Sequence, residues 1–282
     1  MFETDGSTLD IVCADDSRQR KPSRSGMGPL VAIGGIHVPG GQVRGLERGI
    51  DGLCAEYGFP PGEEFKWSPG RELWMRENLV GERRWGFFVV VLALAHSKDV
   101  KALVVIEDAA TATATGASTA EEDVTRLFIE RAHNQLAPTS CDCIVLVDRP
   151  GGDRPAEDKF LAGCLDTLQS GTDYVKPERI AFLVSTPSKF VRLLQVADVI
   201  TGSTLAFVSG EERFAPPVFQ VVKALLRSDS GRIGGVGLKI HPDYKYANLY
   251  HWLLDDTWFV KAGVGVPLPL PDRPYAKSST VL

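Results

Sequence analysis

The sequence contains no apolar run long enough to cross a lipid bilayer. Its longest apolar run, from Phe87 to Ala95, is much shorter than the roughly 20 residues that a membrane-spanning helix needs. The opening Met-Phe-Glu-Thr-Asp lacks both the basic start and the apolar core of a secretory signal. These absences predict a protein that has no membrane partner and no export signal.

Cysteine is scarce, and its spacing is not that of a metal site. The five cysteines, at positions 13, 54, 141, 143 and 164, are odd in number and form no Cys-x-x-Cys pair. The spacing therefore argues against a zinc site built from such pairs. A set of this kind is typical of the reducing cytoplasm, where we expect the protein to work.

The chain also lacks an excess of basic residues, because its formal net charge is -5 at pH 7. A surface that binds phosphate must therefore be local. No internal repeats are visible, and 282 residues of which 44% are hydrophobic can bury a full core. We expect one domain with insertions.

Hydrophobic periodicity predicts an α/β fold. Within the second strand, Gly34-Gly35 indicates a bulge or a close approach of two backbones. The predicted strands cover residues 11–14, 30–38, 101–107, 141–148 and 179–184, with a loop at 109–120 and a glycine-rich hairpin at 231–237. The predicted helices cover residues 42–57, 71–80, 82–95, 121–135, 156–168 and 219–226, with one more that starts at 185–188 and runs through 200.

One strand ends in an acid and then breaks at Pro-Gly-Gly. In the stretch from Cys141, the run from Cys143 to Val147 is apolar and rich in β-branched residues, and Asp148 follows it directly. This pattern predicts a buried strand that carries the Asp148 carboxylate to the edge of a sheet. A carboxylate that caps the next helix is the alternative reading.

Two other acids stand in comparable places. Asp15 follows the first strand and is predicted to share a face with Ile11 and Cys13. Asp198 lies inside an apolar helical stretch, on the same face as Gln195. An ionised carboxylate among aliphatic side chains is costly unless it is paired or bound to a metal.

Two further groups of charged residues accompany these acids. Glu64 and Lys66 are two residues apart in an extended segment and therefore share a face; a surface ion pair is the alternative to a functional role. A basic loop follows the first strand, and it either binds phosphate or is an ordinary solvated loop. Its residues are Arg18, Arg20, Lys21 and Arg24.

If the strands of Asp15 and Asp148 are neighbours and the helix of Asp198 packs across them, the three acids converge. Carboxylates brought that close repel, so their pKa values rise or a divalent cation lies among them. Oxygen ligands alone suit Mg²⁺ or Mn²⁺ better than zinc.

The motifs resemble those of a ribonuclease H-like family catalogued as domain of unknown function 3800. The resemblance spans about residues 9 to 210, and Asp16 and Arg18 stand where that family has Glu and Gly. Its motifs appear here as Asp15-Asp16-Ser17-Arg18, Glu64-Phe65-Lys66, the strand-borne Asp148, and Ser188 with Leu194-Gln195-Val196-Ala197-Asp198.

The resemblance implies a ribonuclease H-like mixed sheet flanked by helices. It places the domain at residues 1–210, with a helical insertion at about 40–98 and an extension at 211–282 that packs on the same domain. Members of the family look like metal-dependent nucleases, which implies nucleic acid as the partner.

The hypothesis from the sequence is therefore a nuclease that uses Mg²⁺ or Mn²⁺. Asp15, Asp148 and Asp198 would hold the metal, with Glu64 and Lys66 completing the catalytic set. The residues expected to support them are Asp16, Ser188 and Gln195, and those expected to bind the nucleic acid are Arg18, Arg20, Lys21 and Arg24. A non-catalytic binding module and a nucleotide phosphohydrolase stay open as alternatives, and so does a homo-oligomer.

Overall fold

The computed structural model describes residues 9–111, 118–139, 141–151 and 154–280. They form a mixed α/β fold with helices on both faces of a six-stranded sheet, and this confirms the predicted fold class at that level. The strands are β1 Asp10–Gln19, β2 Leu30–Val38, β3 Lys101–Asp108, β4 Cys143–Asp148, β5 Ile180–Thr186, β6 Leu238–His241, and the small pair β7 Trp258–Lys261 and β8 Val264–Pro267. The helices are α1 Val43–Glu56, α2 Met75–Asn78, α3 Gly81–His96, α4 Ala120–Leu136, α5 Arg154–Ser170, α6 Arg192–Val208, α7 Ala215–Leu225 and α8 Asp243–Leu254.

The main sheet has the strand order β5-β4-β1-β2-β3-β6. The central strand β1 pairs antiparallel with β2 and parallel with β4. Strand β2 is antiparallel to β3, while β3–β6 and β4–β5 are parallel pairs. The carboxyl ends of β1, β3, β4, β5 and β6 therefore lie at one edge of the sheet, where ligands of α/β proteins commonly bind.

Helix α6 crosses one face of the sheet over β1 and β2. It is apolar almost all round, and so it is enclosed on its outer side by α1, α3 and α7. Helices α4 and α5 cover the opposite face, where they form a second core with the other side of the same strands. Alternate residues of β1 thus face two different cores: Cys13 faces α6, and Val12 and Ala14 face α4.

The insertion between β2 and β3 is helical, as the apolar spacing predicts. Helix α1 matches the predicted 42–57, and the run at 82–95 forms helix α3 although its valines favour a strand. The predicted helix at 71–80 is wrong over most of its length, because only Met75–Asn78 is helical. Residues 63–74 fold back instead, with the Trp74 N–H donating to Glu63 Oε1 at 2.8 Å.

The prediction that the first strand ends at the adjacent acids Asp15 and Asp16 is wrong. Strand β1 continues to Gln19, because β2 pairs with it as far as the Gln19–Leu30 partners. The helix expected to start at 185–188 also begins later, at Arg192, after a short 3₁₀ turn at Ser188–Phe190. The start is displaced because Glu47, from α1, accepts the Arg192 and Leu193 N–H groups at the helix end.

Residues beyond 210 complete the sheet. The predicted hairpin at 231–237 is wrong: a turn there leads into β6, which pairs in parallel with β3. Helix α7 covers the predicted 219–226 except for Leu226, and α8 buries Tyr246 and Tyr250 in the main core. The predictions for Met1–Asp5, for residues 112–117 of the loop at 109–120 and for Gly152 lie outside the described residues.

Across the described ranges, no helix combines the length and the apolar character that crossing a membrane requires.

The backbones of β1 and β2 approach closely at Gly35, as the glycine pair indicates. A Cβ there would lie 1.9 Å from the Cys13 carbonyl oxygen. We expect Gly35→Ala to lower the free energy of unfolding by about 3 kcal/mol, the upper end for an overpacked core. Urea unfolding followed by circular dichroism measures this change.

Gly45→Ala is the matched control, because a Cβ at Gly45 in α1 would meet no atom within 4 Å. That substitution should raise the free energy of unfolding by roughly 0.5–1 kcal/mol, since alanine orders more easily than glycine in a helix. Equal stabilities for Gly35→Ala and the wild type would contradict the β1–β2 pairing described above.

Candidate acidic site at the sheet edge

Asp15 projects from β1 towards helix α6 and is only 8% exposed. Burial raises the pKa of its carboxyl to about 9, and the negative charges of Asp198 and Asp148 add to the increase. The three acids that the sequence singles out therefore lie within electrostatic reach of one another. They come from β1, β4 and α6, which are far apart in the chain.

Asp148 ends β4 at the same edge. Its Oδ1 accepts the Arg149 N–H at 2.9 Å and the Ser188 N–H at 2.8 Å. Its Oδ2 lies 3.5 Å from Lys66 Nζ. The carboxylate thus ties the end of β4 to the turn after β5, as a structural acid would, and it also faces the cluster.

Asp198 enters the cluster from the middle of α6. Burial raises the pKa of its carboxyl to about 6, although the Trp67 N–H, which donates to Oδ2 at 2.5 Å, opposes that increase. The expectation that this acid needs a partner is met in part by a backbone donor.

Lys66 brings a positive charge into this group of acids. Burial alone would lower the pKa of its ammonium, but the charges of the surrounding carboxylates outweigh burial and raise it. Those carboxylates are Asp148, Asp198, Asp15 and Glu64. Glu64 and Lys66 thus do not form an isolated surface ion pair, because Lys66 interacts electrostatically with several carboxylates at once.

Gln195 holds the segment that carries Glu64 and Lys66. It is fully buried on α6; its Oε1 accepts the Phe65 N–H at 3.2 Å, and its Nε2 donates to the Ser188 carbonyl at 2.9 Å. The Ser188 hydroxyl lies within 3.4 Å of Glu64 Oε2. Gln195 and Ser188 therefore fix the position of the segment that carries Glu64 and Lys66.

Asp16 lies next to Asp15 but points to the other face of the sheet, by the alternation of β1. Its N–H donates to Asp15 Oδ1 at 2.8 Å, which helps to orient that carboxylate. Burial also raises the pKa of the Asp16 carboxyl.

The four basic residues after the acids do not form the single basic loop that the sequence predicts. Arg20 and Lys21 are exposed, whereas Arg18 lies in β1 near Asp16 and Glu121. Arg24 is buried, and its guanidinium donates to the carbonyls of Val208, Phe207 and Ser279. The prediction that Arg24 binds phosphate is wrong, because its donors are taken up by carbonyls at the end of α6 and in the C-terminal segment.

The carboxylates fit a hard divalent cation in their chemistry, since they offer oxygen ligands and more negative charge than Lys66 balances. Within the parts of the chain described, however, no three His, Cys, Asp or Glu side chains are grouped as they would be around a metal ion. The carboxylates of Asp15, Asp148 and Asp198 would have to move closer together to coordinate a cation.

Sequence reasoning did not single out Arg192 or Glu47. Arg192 Nη1 donates to Gln195 Oε1 at 2.8 Å and to the Glu63 carbonyl at 2.7 Å, so it fixes the segment before Glu64. Glu47 caps the helix that carries Asp198. No local pattern marks such residues, because Arg192 meets Glu47 and the Glu63 carbonyl across more than a hundred positions of the chain.

Asp15→Asn should stabilise the metal-free protein at alkaline pH. The native carboxyl has a pKa of about 9 against an ordinary value of 3.8, so the folded state binds more protons and its stability falls as pH rises between those values. We expect a gain in unfolding free energy of about 1–3 kcal/mol at pH 8 that disappears near pH 4.

Urea unfolding at both pH values, in the presence of a chelator, measures that gain. Asp142→Asn is the control, because the Asp142 side chain is 58% exposed, and it should change stability by less than about 0.5 kcal/mol at either pH. A gain at Asp15 that is independent of pH would contradict the assignment of a raised pKa.

Gln195→Leu should loosen the segment that carries Glu64 and Lys66. The substitution keeps the bulk of the side chain but leaves the buried Phe65 N–H without its acceptor. We expect a loss of about 1–3 kcal/mol in unfolding free energy. Hydrogen exchange should rise at residues 63–67 and stay unchanged in the centre of the sheet; uniform exchange rates along the chain would contradict this role.

Comparison with known proteins finds no family model and no curated protein that matches this chain. The acidic cluster is therefore the ground on which a function can be assigned.

Proposed function

We propose that this protein is a metal-dependent nuclease that hydrolyses phosphodiester bonds of nucleic acid. The observation that carries the proposal is the convergence of Asp15, Asp148 and Asp198 on Lys66 at the carboxyl edge of the sheet. Such a concentration of buried and partly buried carboxylates costs stability, and it is typical of sites that bind a charged ligand.

A ribonuclease H-like fold is part of this proposal. It is supported by a mixed sheet whose central strand β1 pairs antiparallel with β2 and parallel with β4. Helices cover both faces of that sheet, and two of the acids stand on the adjacent strands β1 and β4. The third acid arrives on α6, which packs across β1.

Asp15, Asp148 and Asp198 would hold Mg²⁺ or Mn²⁺. When bound, the metal would lower the pKa of an attacking water and offset charge on the leaving oxygen. Lys66 would stabilise the extra negative charge of the phosphate in the transition state, because its ammonium already lies among the carboxylates. Glu64, held near the Ser188 hydroxyl, would orient the water or accept its proton.

Basic side chains next to the acids favour a polymer with a phosphate backbone as substrate. Arg149 and Lys189 line the same depression as Glu64, Lys66 and Asp148. Arg149 also pairs with Glu157 at 3.3 Å, but its side chain is half exposed and such pairs are weak. In the loop after β1, the exposed Arg20 and Lys21 would add further phosphate contacts.

The test combines metal binding with cleavage. Wild-type protein and Asp148→Asn are titrated with Mg²⁺ and Mn²⁺ by calorimetry, and are then incubated with labelled single- and double-stranded DNA and RNA. We expect the substitution to weaken metal binding and to reduce cleavage by at least about 100-fold, since even residues that only support metal ligands cost 10- to 100-fold.

Asp142→Asn is the matched control, because it removes an exposed carboxylate close to the start of the same strand. It should leave metal binding and cleavage unchanged. Absence of metal binding in the wild type, even with nucleic acid present, would contradict the nuclease and leave a non-catalytic binding module. Hydrolysis of mononucleotides without cleavage of polymers would favour a nucleotide phosphohydrolase.

A further inference from the structure

A small apolar cavity opens beside the acidic site, on the face of the sheet opposite to α6. It measures about 130 Å³ and lies between the strands β1, β2 and β4 and the helices α4 and α5. Asp148, Pro150 and Gly151 line both this cavity and the depression that contains Glu64 and Lys66, so the cavity adjoins the acidic site. Its apolar walls are the side chains of Val31, Ile33, Val124, Val147 and Phe160.

The size of this cavity suits one six-membered aromatic ring. An engineered protein cavity of roughly 150 Å³ lined by aliphatic and aromatic side chains binds benzene. Walls made of valine, isoleucine and phenylalanine favour the two faces of a flat ring over a sugar or a phosphate, because both of these would lose their hydration. A pyrimidine base meets this requirement more closely than the larger fused rings of a purine do.

The rim of the cavity is polar and carries both donors and acceptors. Arg18 lies 3.5 Å from Glu121 and 3.9 Å from Asp16, and all three side chains are about half exposed. Pairs this long and this exposed contribute little, so the groups can turn to a ligand. The Thr125 hydroxyl donates to the Glu121 carbonyl at 2.7 Å, which leaves its oxygen free to accept.

Cytosine matches this rim better than uracil or thymine does. Its exocyclic amine donates to carboxylates such as those of Asp16 and Glu121, and its ring nitrogen and carbonyl oxygen accept from a guanidinium such as that of Arg18. Uracil and thymine present a carbonyl oxygen where cytosine has the amine, so a carboxylate would repel it.

We propose that this cavity binds the base of a nucleotide next to the scissile phosphate and selects cytosine. The inference rests on the proposed nuclease for its link to cleavage. The base-binding site itself stands on the cavity and its rim. Entry of an unstacked base requires single-stranded or locally opened nucleic acid.

The first experiment uses cytidine and uridine, which carry no phosphate that the acids would repel. Each is titrated by NMR into the full-length protein in the presence of a chelator. We expect cytidine to bind at least about tenfold more tightly than uridine, as a good base contact allows. Chemical shifts should move at Val31, Val124 and Val147.

Thr125→Trp should abolish this binding, because the indole would fill the mouth of the cavity. Thr167→Trp is the control: Thr167 is also partly buried on a neighbouring helix, and its hydroxyl likewise donates to a carbonyl four residues earlier, that of Gly163, but it does not line the cavity. Equal loss of cytidine binding in both variants, or in neither, would overturn the assignment to this cavity.

Glu121→Gln should reduce the preference for cytidine over uridine about tenfold, because the carboxamide can turn a donor towards the carbonyl of uracil. Glu122→Gln is its control, since that residue closes the capping box of α4, where glutamine serves as well as glutamate. An unchanged preference in Glu121→Gln would overturn the assigned basis of selectivity.

The second experiment maps cleavage on single-stranded oligonucleotides that contain one cytosine in a thymine or uracil background. If the wild type cuts next to the cytosine and Thr125→Trp cuts at other positions, the cavity selects cytosine within a polymer. Cleavage without base preference, together with no binding of cytidine, would overturn the inference and leave the nuclease intact. Binding of cytidine without any cleavage would remove the nuclease and keep the pocket as a site for free nucleosides or nucleotides.

Discussion

The packing of α6 across β1 and β2 is the constraint on which the rest of the molecule depends. An almost wholly apolar helix must be covered on all sides, and this is why the insertion and the C-terminal helices gather around it. Gln195 and Asp198, two polar side chains in the first two turns of this helix, can be tolerated there only with partners. Both find them in the backbone of the extended segment that carries Glu64 and Lys66.

The electrostatic character of the site follows from this packing. The same helix that brings Asp198 to the sheet also removes water from Asp15, so burial and mutual repulsion combine to raise the pKa values of both carboxyls. Lys66 relieves part of the repulsion, and backbone N–H groups relieve another part at Asp148 and Asp198. The remaining excess of negative charge is the basis of the proposed cation site, and the neighbouring cavity lies at the same edge of the sheet.

Much of the fold could be predicted from local patterns. The apolar spacing in 42–57 and the long buried run at 82–95 both form helices, and the alternation in β1 does send Asp15 and Cys13 to one face. The end of β1, by contrast, was predicted too early, because acids weaken a strand pattern while pairing with β2 extends the strand past them. Strand β6 is only four residues long and follows a glycine-rich turn. No local sequence pattern therefore predicts that it belongs to the sheet.

For the candidate site, the sequence by itself determined which residue types can do chemistry: acids that follow or interrupt apolar runs, a Glu-x-Lys pair, and a glutamine one turn before a buried aspartate. Only the tertiary structure decided which of them meet. It placed Lys66 among several carboxylates, turned Arg24 inward onto backbone carbonyls, and capped the helix of Asp198 with Glu47. The physical reason is the sequence distance over which each kind of information acts. Periodicity indicates which face of a helix or strand is buried, and it can be read from neighbouring residues. Hydrogen bonds and charge interactions, by contrast, join residues that the chain separates by a hundred positions or more.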